Sequence, residues 1–424
     1  MVLTRAGGRI YYGWVVVGVA FLTMALGGTV NATFSVFYIA ILEEFRWSRA
    51  ETALAFSLSM ATFALAAAPA GALIDRWGPR RVLPAGVGVL CMGLALSSLV
   101  HAPWHLYLLY GVVTALGITL VGFVPTHTVV SRWFIRRRAI ALGLAQAGRG
   151  VGALLVVPFA QLLIGWVGWR HAYWVLALLI GGVLIPLNYL FQRGGPEEVG
   201  LRPDGLSEAA APPAAPVSWT LSRALRDASF WVLLPTGALH GVTFGAVMVH
   251  QVAHMVDVGL PALLAASVFG LTALIRAGAG IGGGWVSDRV GRVPTYLAAS
   301  ALTLGGIFAL AQAGPGGASW AYVFALLYGL GSGARGTSLV ALKADLFRGP
   351  HFGSILGMSQ LGTGLGAAVG PWLAGYIFDR TGDYQLAFLL VAASILLSAL
   401  GAWVGGSLLR RETSRSVDRR SVDR

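Results

Sequence analysis

Three arginines, Arg149, Arg276 and Arg335, each lie inside a long apolar stretch. Burying a guanidinium there costs at least ~2.5–3.5 kcal/mol unless it meets water or a partner. Asp and Glu occur at stretch ends, in connections and in tails, and none falls in the middle of an apolar stretch. Cations without an internal counter-ion are suited to receive an anion from outside. Arg is the side chain for a carboxylate, because its planar fork donates two parallel hydrogen bonds. Other polar residues fall in register with these. Tyr328, Ser332 and Arg335 stand at i, i+4 and i+7, one helix face. Thr236, His240, Thr243, His250 and His254 share another. Asn31 and Tyr38 add hydrogen-bond donors near the start of the chain. His250 and His254, with Asp257 close by, are the groups able to carry a proton near neutral pH. The plain alternative for each neutral residue, and for each histidine, is a hydrogen bond between helices.

The elements that must position these side chains are membrane spans. The chain has 424 residues, of which 11% are charged and 56% hydrophobic, with a mean hydropathy of +0.74. An ordinary soluble domain carries about 25% charge. Twelve spans of roughly 22 residues would use nearly two thirds of the chain. Cys91 is the only cysteine, which excludes a disulfide framework and a thiolate metal cluster. No metalloprotease, P-loop or nucleophile-elbow pattern occurs, so neither an enzyme nor a cofactor or metal site is expected. The net charge of +13 does not indicate nucleic acid. It is almost all Arg, with Lys343 the single Lys, and it sits in short runs between apolar stretches, as a polytopic protein sets its topology.

Apolar stretches run at 12–40, 50–72, 82–101, 106–130, 139–163, 171–192, 229–255, 262–286, 294–313, 319–342, 353–377 and 385–409. One set of connections, with both chain ends, holds nearly all the basic residues. The other holds only Arg46, Arg49, Arg170 and Arg380. The positive-inside rule then places both termini in the cytoplasm of a multi-pass protein in the inner cell membrane. The break at 193–228 carries Gly194-Gly195-Pro196 and the Ala/Pro run Ala209 to Pro216, and reads as a cytoplasmic linker. The expected domains are a six-helix bundle at 1–192, the linker, a second six-helix bundle at 229–409 and a basic tail at 410–424. The fold class is all-α, and the expected assembly is a monomer in lipid.

The halves repeat. Gly71-x-x-x-Asp75-Arg76-x-Gly78 recurs as Gly284-x-x-x-Asp288-Arg289-x-Gly291. The run Gly143-x-x-Gln146-x-Gly148-x-Gly150-x-Gly152-Ala153 recurs as Gly357-x-x-Gln360-x-Gly362-x-Gly364-x-Gly366-Ala367. Each half holds an even number of spans, so the repeats are parallel, related by an axis along the membrane normal. The glycines allow close helix approach. Asp75, Arg76, Asp288 and Arg289 stand at cytoplasmic helix ends. There a carboxylate can engage a helix N-terminus or a neighbouring Arg and latch one state of a gate.

On these residues the chain resembles the major facilitator superfamily. Gly71 to Arg81, GALIDRWGPRR, is similar to its signature loop between the second and third helices. Trp133 to Gly152, WFIRRRAIALGLAQAGRGVG, resembles the fifth-helix signature of monocarboxylate porters. Tyr12-Gly13-Trp14 and His250 to Gly259 resemble bacterial members of that group and the related oxalate–formate antiporters. The resemblance implies secondary active transport of small organic anions, mono- or dicarboxylates such as lactate, pyruvate or oxalate. It implies alternating access coupled either to protons or to anion exchange, and it makes Arg276 the natural anion-binding residue. There are departures. The family Arg lies about one turn nearer the loop, where Gly280 stands, and no Asp accompanies it here. The antiporters' eleventh-helix Lys is absent, with Thr363 near its place and Arg149 at the repeat-equivalent position. Arg149 is thus expected as a second clamp from the other lobe. Efflux of drugs or other small molecules is a rival reading, which the unpaired arginines disfavour for cations. A non-transporting membrane sensor is another.

Overall fold

The computed structural model describes residues 11–135, 137–202, 219–347 and 352–422, without the side chains of 68, 139, 352–354 and 409–422. Arg5, Arg9, Arg136, Arg348 and residues 203–218 of the expected linker lie outside the described residues, as do the side chains of the basic tail. The described chain is all helix apart from turns. The helices are α1 (Tyr12–Leu26), α2 (Val30–Phe45), α3 (Arg49–Trp77), α4 (Pro79–Ser97), α5 (Pro103–Leu106), α6 (Ala115–Val121), α7 (Phe123–Trp133), α8 (Arg138–Phe191), α9 (Leu221–Ala224), α10 (Ala228–Asp257), α11 (Ala262–Val290), α12 (Arg292–Ala311), α13 (Ala318–Leu346), α14 (Phe352–Thr381) and α15 (Gln385–Val422).

Ten stretches among the described residues are long and apolar enough to cross a membrane. One of them joins α1 to α2, and another runs from α5 to α7 through a π-helical turn at Tyr107–Thr114. The long α8 holds two crossings, because Gly168 breaks it with φ 76°. The 29-residue α13 supplies a further crossing despite its Gly, Ser and Arg content. Twelve crossings result, as the hydropathy pattern predicts. Large side chains such as Leu155, Leu178 and Leu389 are more than 60% exposed, as a lipid-facing surface requires.

The chain packs as two compact units. One takes the chain up to Arg46 with Leu65–Ala211, and the other takes Trp47–Ala64 with the chain from Pro212. In the first, a core around Trp133 and Phe134 collects Val16, Ile74, Leu83 and Val130. In the second, Phe347 stands at the repeat-equivalent position, among Phe230, Tyr296, Leu339 and Leu342.

The internal repeat is visible atom by atom. A Cβ on Gly148 or Gly152 would lie 2.3 or 2.0 Å from the carbonyl oxygens of Phe21 and Ala25 in α1. A Cβ on Gly362 or Gly366 would lie 2.8 or 1.9 Å from those of Leu234 and Ala238 in α10. Only glycine permits α8 on α1, and α14 on α10, at this separation. The corners repeat as well. Gly78 and Gly291 have φ of 76° and 106°, and Gly168 and Gly382 have φ of 76° and 81°. Side chains rarely adopt that conformation, so glycine fixes where one crossing ends and the next begins.

Candidate anion-binding site

A small, partly open cleft lies between α10, α11 and α13 of the second unit. Phe244, Val247, Met248 and Gln251 come from α10, Phe269, Thr272, Ala273 and Arg276 from α11, and Tyr328 from α13. The helices reach this spacing because Gly333 places α13 directly on α11. A Cβ there would stand 2.3 Å from the Arg276 carbonyl oxygen. The half-buried Arg276 guanidinium lies 4.9 Å from the Phe244 ring centroid, a cation–π contact that holds it without neutralising it. Among the described residues no ion pair includes Arg276. One turn before it, Thr272 donates to its own helix, to the Val268 carbonyl at 2.8 Å. Gln251 lines this wall, and its buried Oε1 has no hydrogen-bond partner among the described residues. The site therefore offers one cation, one phenol and one amide in an apolar cup, suited to a small carboxylate with a short apolar body.

Arg276 and Tyr328 both line this cleft, from α11 and α13. Arg335 does not line it. It is fully buried, donates from Nη2 to Tyr296 Oη at 3.2 Å, and its Nε and Nη1 have no hydrogen-bond partner among the described residues. Tyr296 in turn shares a 2.5 Å hydrogen bond with Ser398. His240 lies within electrostatic reach of Arg335, Lys343 and Arg276, and its Nδ1 has no partner. Lys343, counted from sequence as a loop cation, is instead 2% exposed, and its ammonium has no partner among the described residues.

A polar network closes the far end of the second unit, away from the basic connections. His250 Nε2 donates to the Pro371 carbonyl at 2.8 Å, so Nδ1 of the neutral ring accepts from Tyr384 Oη at 2.9 Å. Burial raises the Tyr384 hydroxyl's pKa above the usual range, which keeps it a donor. Tyr384 Oη also accepts from Arg49 Nη1 at 2.5 Å, and Arg49 Nη2 pairs with Asp257 at 2.7 Å. Asp379 receives the backbone N–H groups of Arg49 and Ala50, both at 2.9 Å, capping the start of α3. His250 and Asp257 are thus joined, but through Tyr384 and Arg49, which sequence reasoning passed over. Arg49 carried a signal as one of four cations on the sparse side. His254 packs its ring edge-on against Tyr384 and donates to the Leu310 carbonyl at 3.0 Å.

In the first unit Arg149 is half-buried, Asn31 accepts from Tyr110 Oη at 3.4 Å, and Tyr38 is fully buried beside Phe34. The four loop residues separate by partner. Asp75 pairs with Arg132 at 2.5 Å, and Asp288 pairs with Arg292, which also holds Asp345 at 2.9 Å. Arg289 stacks over Trp285 at 3.6 Å, and Arg76 is exposed.

Comparison with known proteins fits this geometry. A family profile described as Major Facilitator Superfamily matches residues 19–339 and 284–423. Monocarboxylate transporter 11 of Mus musculus is 31% identical over 403 residues, covering 93% of this chain and 87% of that protein. Monocarboxylate transporter 2 of Homo sapiens is 24% identical, covering 94% and 86%. Among solved structures, a mutant of the nucleoside transporter NupG superposes with a TM-score of 0.74 at 13% identity, over 93% of this chain and 99% of that one. A D-xylose–proton symporter gives 0.72 at 14% identity, over 92% and 97%. The two structures speak for the fold alone.

Proposed function

The chain belongs to the major facilitator superfamily, and from that premise we propose that it carries small carboxylates such as lactate, pyruvate or oxalate across the membrane by alternating access, with Arg276 as the anion's anchor. The observation that supports this most is the guanidinium itself, in a cavity with a phenol and an amide and without an ion pair among the described residues. A carboxylate entering there gains a charge-assisted, bidentate hydrogen bond, and Tyr328 and Gln251 add directional contacts. Phe244, Val247, Met248 and Phe269 enclose the rest of a short acid.

The coupling these residues favour is anion exchange. Arg276, Arg335 and Lys343 lie in a low-dielectric interior, and among the described residues no carboxylate pairs with them. Reorienting that charge empty is costly, and a bound anion offsets it, so the loaded carrier turns over more readily than the empty one. His250 has both ring nitrogens committed, and a second proton on it would face Arg49. It acts as a neutral link between helices. The concentration of Arg on one set of connections supports cytoplasmic termini in the cell's inner membrane.

The test is transport in proteoliposomes. Labelled lactate or pyruvate should enter vesicles preloaded with unlabelled acid at least tenfold faster than empty vesicles, and Arg276→Gln should lower that uptake by about 100-fold. Uptake into empty vesicles that alkalinises the medium and needs no internal acid would replace exchange by proton symport. Absence of uptake for every short carboxylate would end the reading.

A further inference from the structure

The chain's single lysine is turned into the protein. Lys343 sits three residues before the end of α13, where a four-carbon stem would let an ammonium reach the aqueous boundary. It is instead 2% exposed, and Nζ meets no acceptor among the described residues. Its place is marked by Gly237 on α10. A Cβ built there would stand 3.3 Å from Lys343 Nζ and 2.8 Å from Thr363 Oγ1. The Thr363 hydroxyl likewise lacks a partner. An ammonium and a hydroxyl, both buried and both unsatisfied, converge over a glycine that leaves them room. An uncompensated buried ammonium costs several kcal/mol, so an anionic partner at this position would be strongly favoured.

The position is also in register with the cavity. Phe244, which faces the Arg276 guanidinium, is seven residues from Gly237 on α10, two turns along one face and about 10 Å of rise. His240 lies on that face between them, with Nδ1 unpartnered. A four- or five-carbon diacid, with a hydrogen bond of about 3 Å at each end, spans such a gap.

We propose that Lys343, with Thr363 beside it, holds a second carboxylate, so that the carrier takes four- and five-carbon dicarboxylates in preference to monocarboxylates. The proposal rests on Arg276 as the first anchor. Lys343 donates to the distal carboxylate, Thr363 adds a neutral donor, and His240 lines the path between the two charges.

The experiment is ligand binding by thermal shift on the purified full-length protein in detergent, with succinate, glutarate and lactate. Wild type should bind succinate or glutarate at least tenfold more tightly than lactate. Lys343→Met should erase that advantage, while Lys343→Arg retains most of it. Unliganded Lys343→Met should melt at a higher temperature than wild type, since the unpaired charge is gone. Gly237→Ala, which crowds Lys343 Nζ and Thr363 Oγ1, and Thr363→Val both alter the same position while keeping the lysine itself, and each should cut diacid affinity severalfold. A wild type that binds lactate with no diacid preference, or a Lys343→Met that keeps it, overturns the second position and leaves the Arg276 site standing. A wild type that binds none of the three acids overturns both.

Discussion

The two units are built on one frame and filled with different chemistry. In the first, Gly148 and Gly152 seat α8 on the carbonyls of Phe21 and Ala25. In the second, Gly362 and Gly366 seat α14 on those of Leu234 and Ala238. The far corners match too. Glu44 and Asp257 are repeat-equivalent, and each carboxylate takes an arginine, Arg170 in one unit and Arg49 in the other. The interiors part company. Among the described residues twelve buried side-chain N and O atoms lack a hydrogen-bond partner, and only Tyr173 Oη and Gln192 Oε1 belong to the first unit. Buried polar atoms are normally satisfied, so the ten exceptions in the second unit set it apart and fall in the unit where the anion site is proposed. Packing keeps the frame symmetric because both halves must solve the same helix-approach problem. Nothing requires both halves to carry the charge.

The sharpest way to break this comparison is to strike the shared frame. Gly152→Val and Gly366→Val each force a side chain to within about 2 Å of a carbonyl oxygen. Each should cost about 3 kcal/mol or more, read as loss of folded protein or a large drop in melting temperature in detergent. The two losses should be alike, and a harmless substitution on either side would show that the frame is not shared. The interior is tested next. Arg276→Gln removes a charge-assisted contact worth about 1.5–3 kcal/mol and should lower carboxylate transport by about 100-fold. Arg149→Gln, in the unit with the satisfied interior, should cost under tenfold for monocarboxylates. Equal losses would make the site two-sided. An Arg149→Gln that leaves every tested diacid unchanged removes the clamp expected from that lobe.

The frame was legible in the sequence because close packing writes itself into residue type. Glycines at matched spacing, the Asp-Arg corners and the apolar lengths together specified twelve crossings and two parallel halves. Arg276 and Tyr328 were legible too, since a guanidinium inside an apolar run has few explanations. What escaped was direction. Lys343 reads as a boundary cation until its side chain is seen turned inward over Gly237. Arg335 reads as a partner of Tyr328 by helical spacing, yet its guanidinium goes to Tyr296. Tyr384 and Arg49 lie in or beside connections, where no periodicity marks them, and only the tertiary fold brings them to His250.

The remaining predictions concern the corners, where the two units differ least. Tyr384→Phe leaves His250 Nδ1 buried without a donor and should cost about 1–3 kcal/mol of stability. Its counterpart corner in the first unit is more open, with the Glu44 side chain 40% exposed, so Glu44→Gln should cost under about 1 kcal/mol despite its contacts with Arg170 and Trp169. The smallest effects belong to the loop pairs. Asp75 and Asp288 are 63% and 67% exposed, and such ion pairs are worth about 0–1 kcal/mol. Asp75→Asn and Asp288→Asn should therefore leave the melting temperature within a few degrees of wild type. If they are latches, their signature is in rate. Exchange should change severalfold while binding affinity stays the same, because a latch alters the balance between states without touching the anion. A loss of stability with unchanged exchange would make them ordinary corner pairs, and the gating role of the repeated Asp-Arg motif would fall.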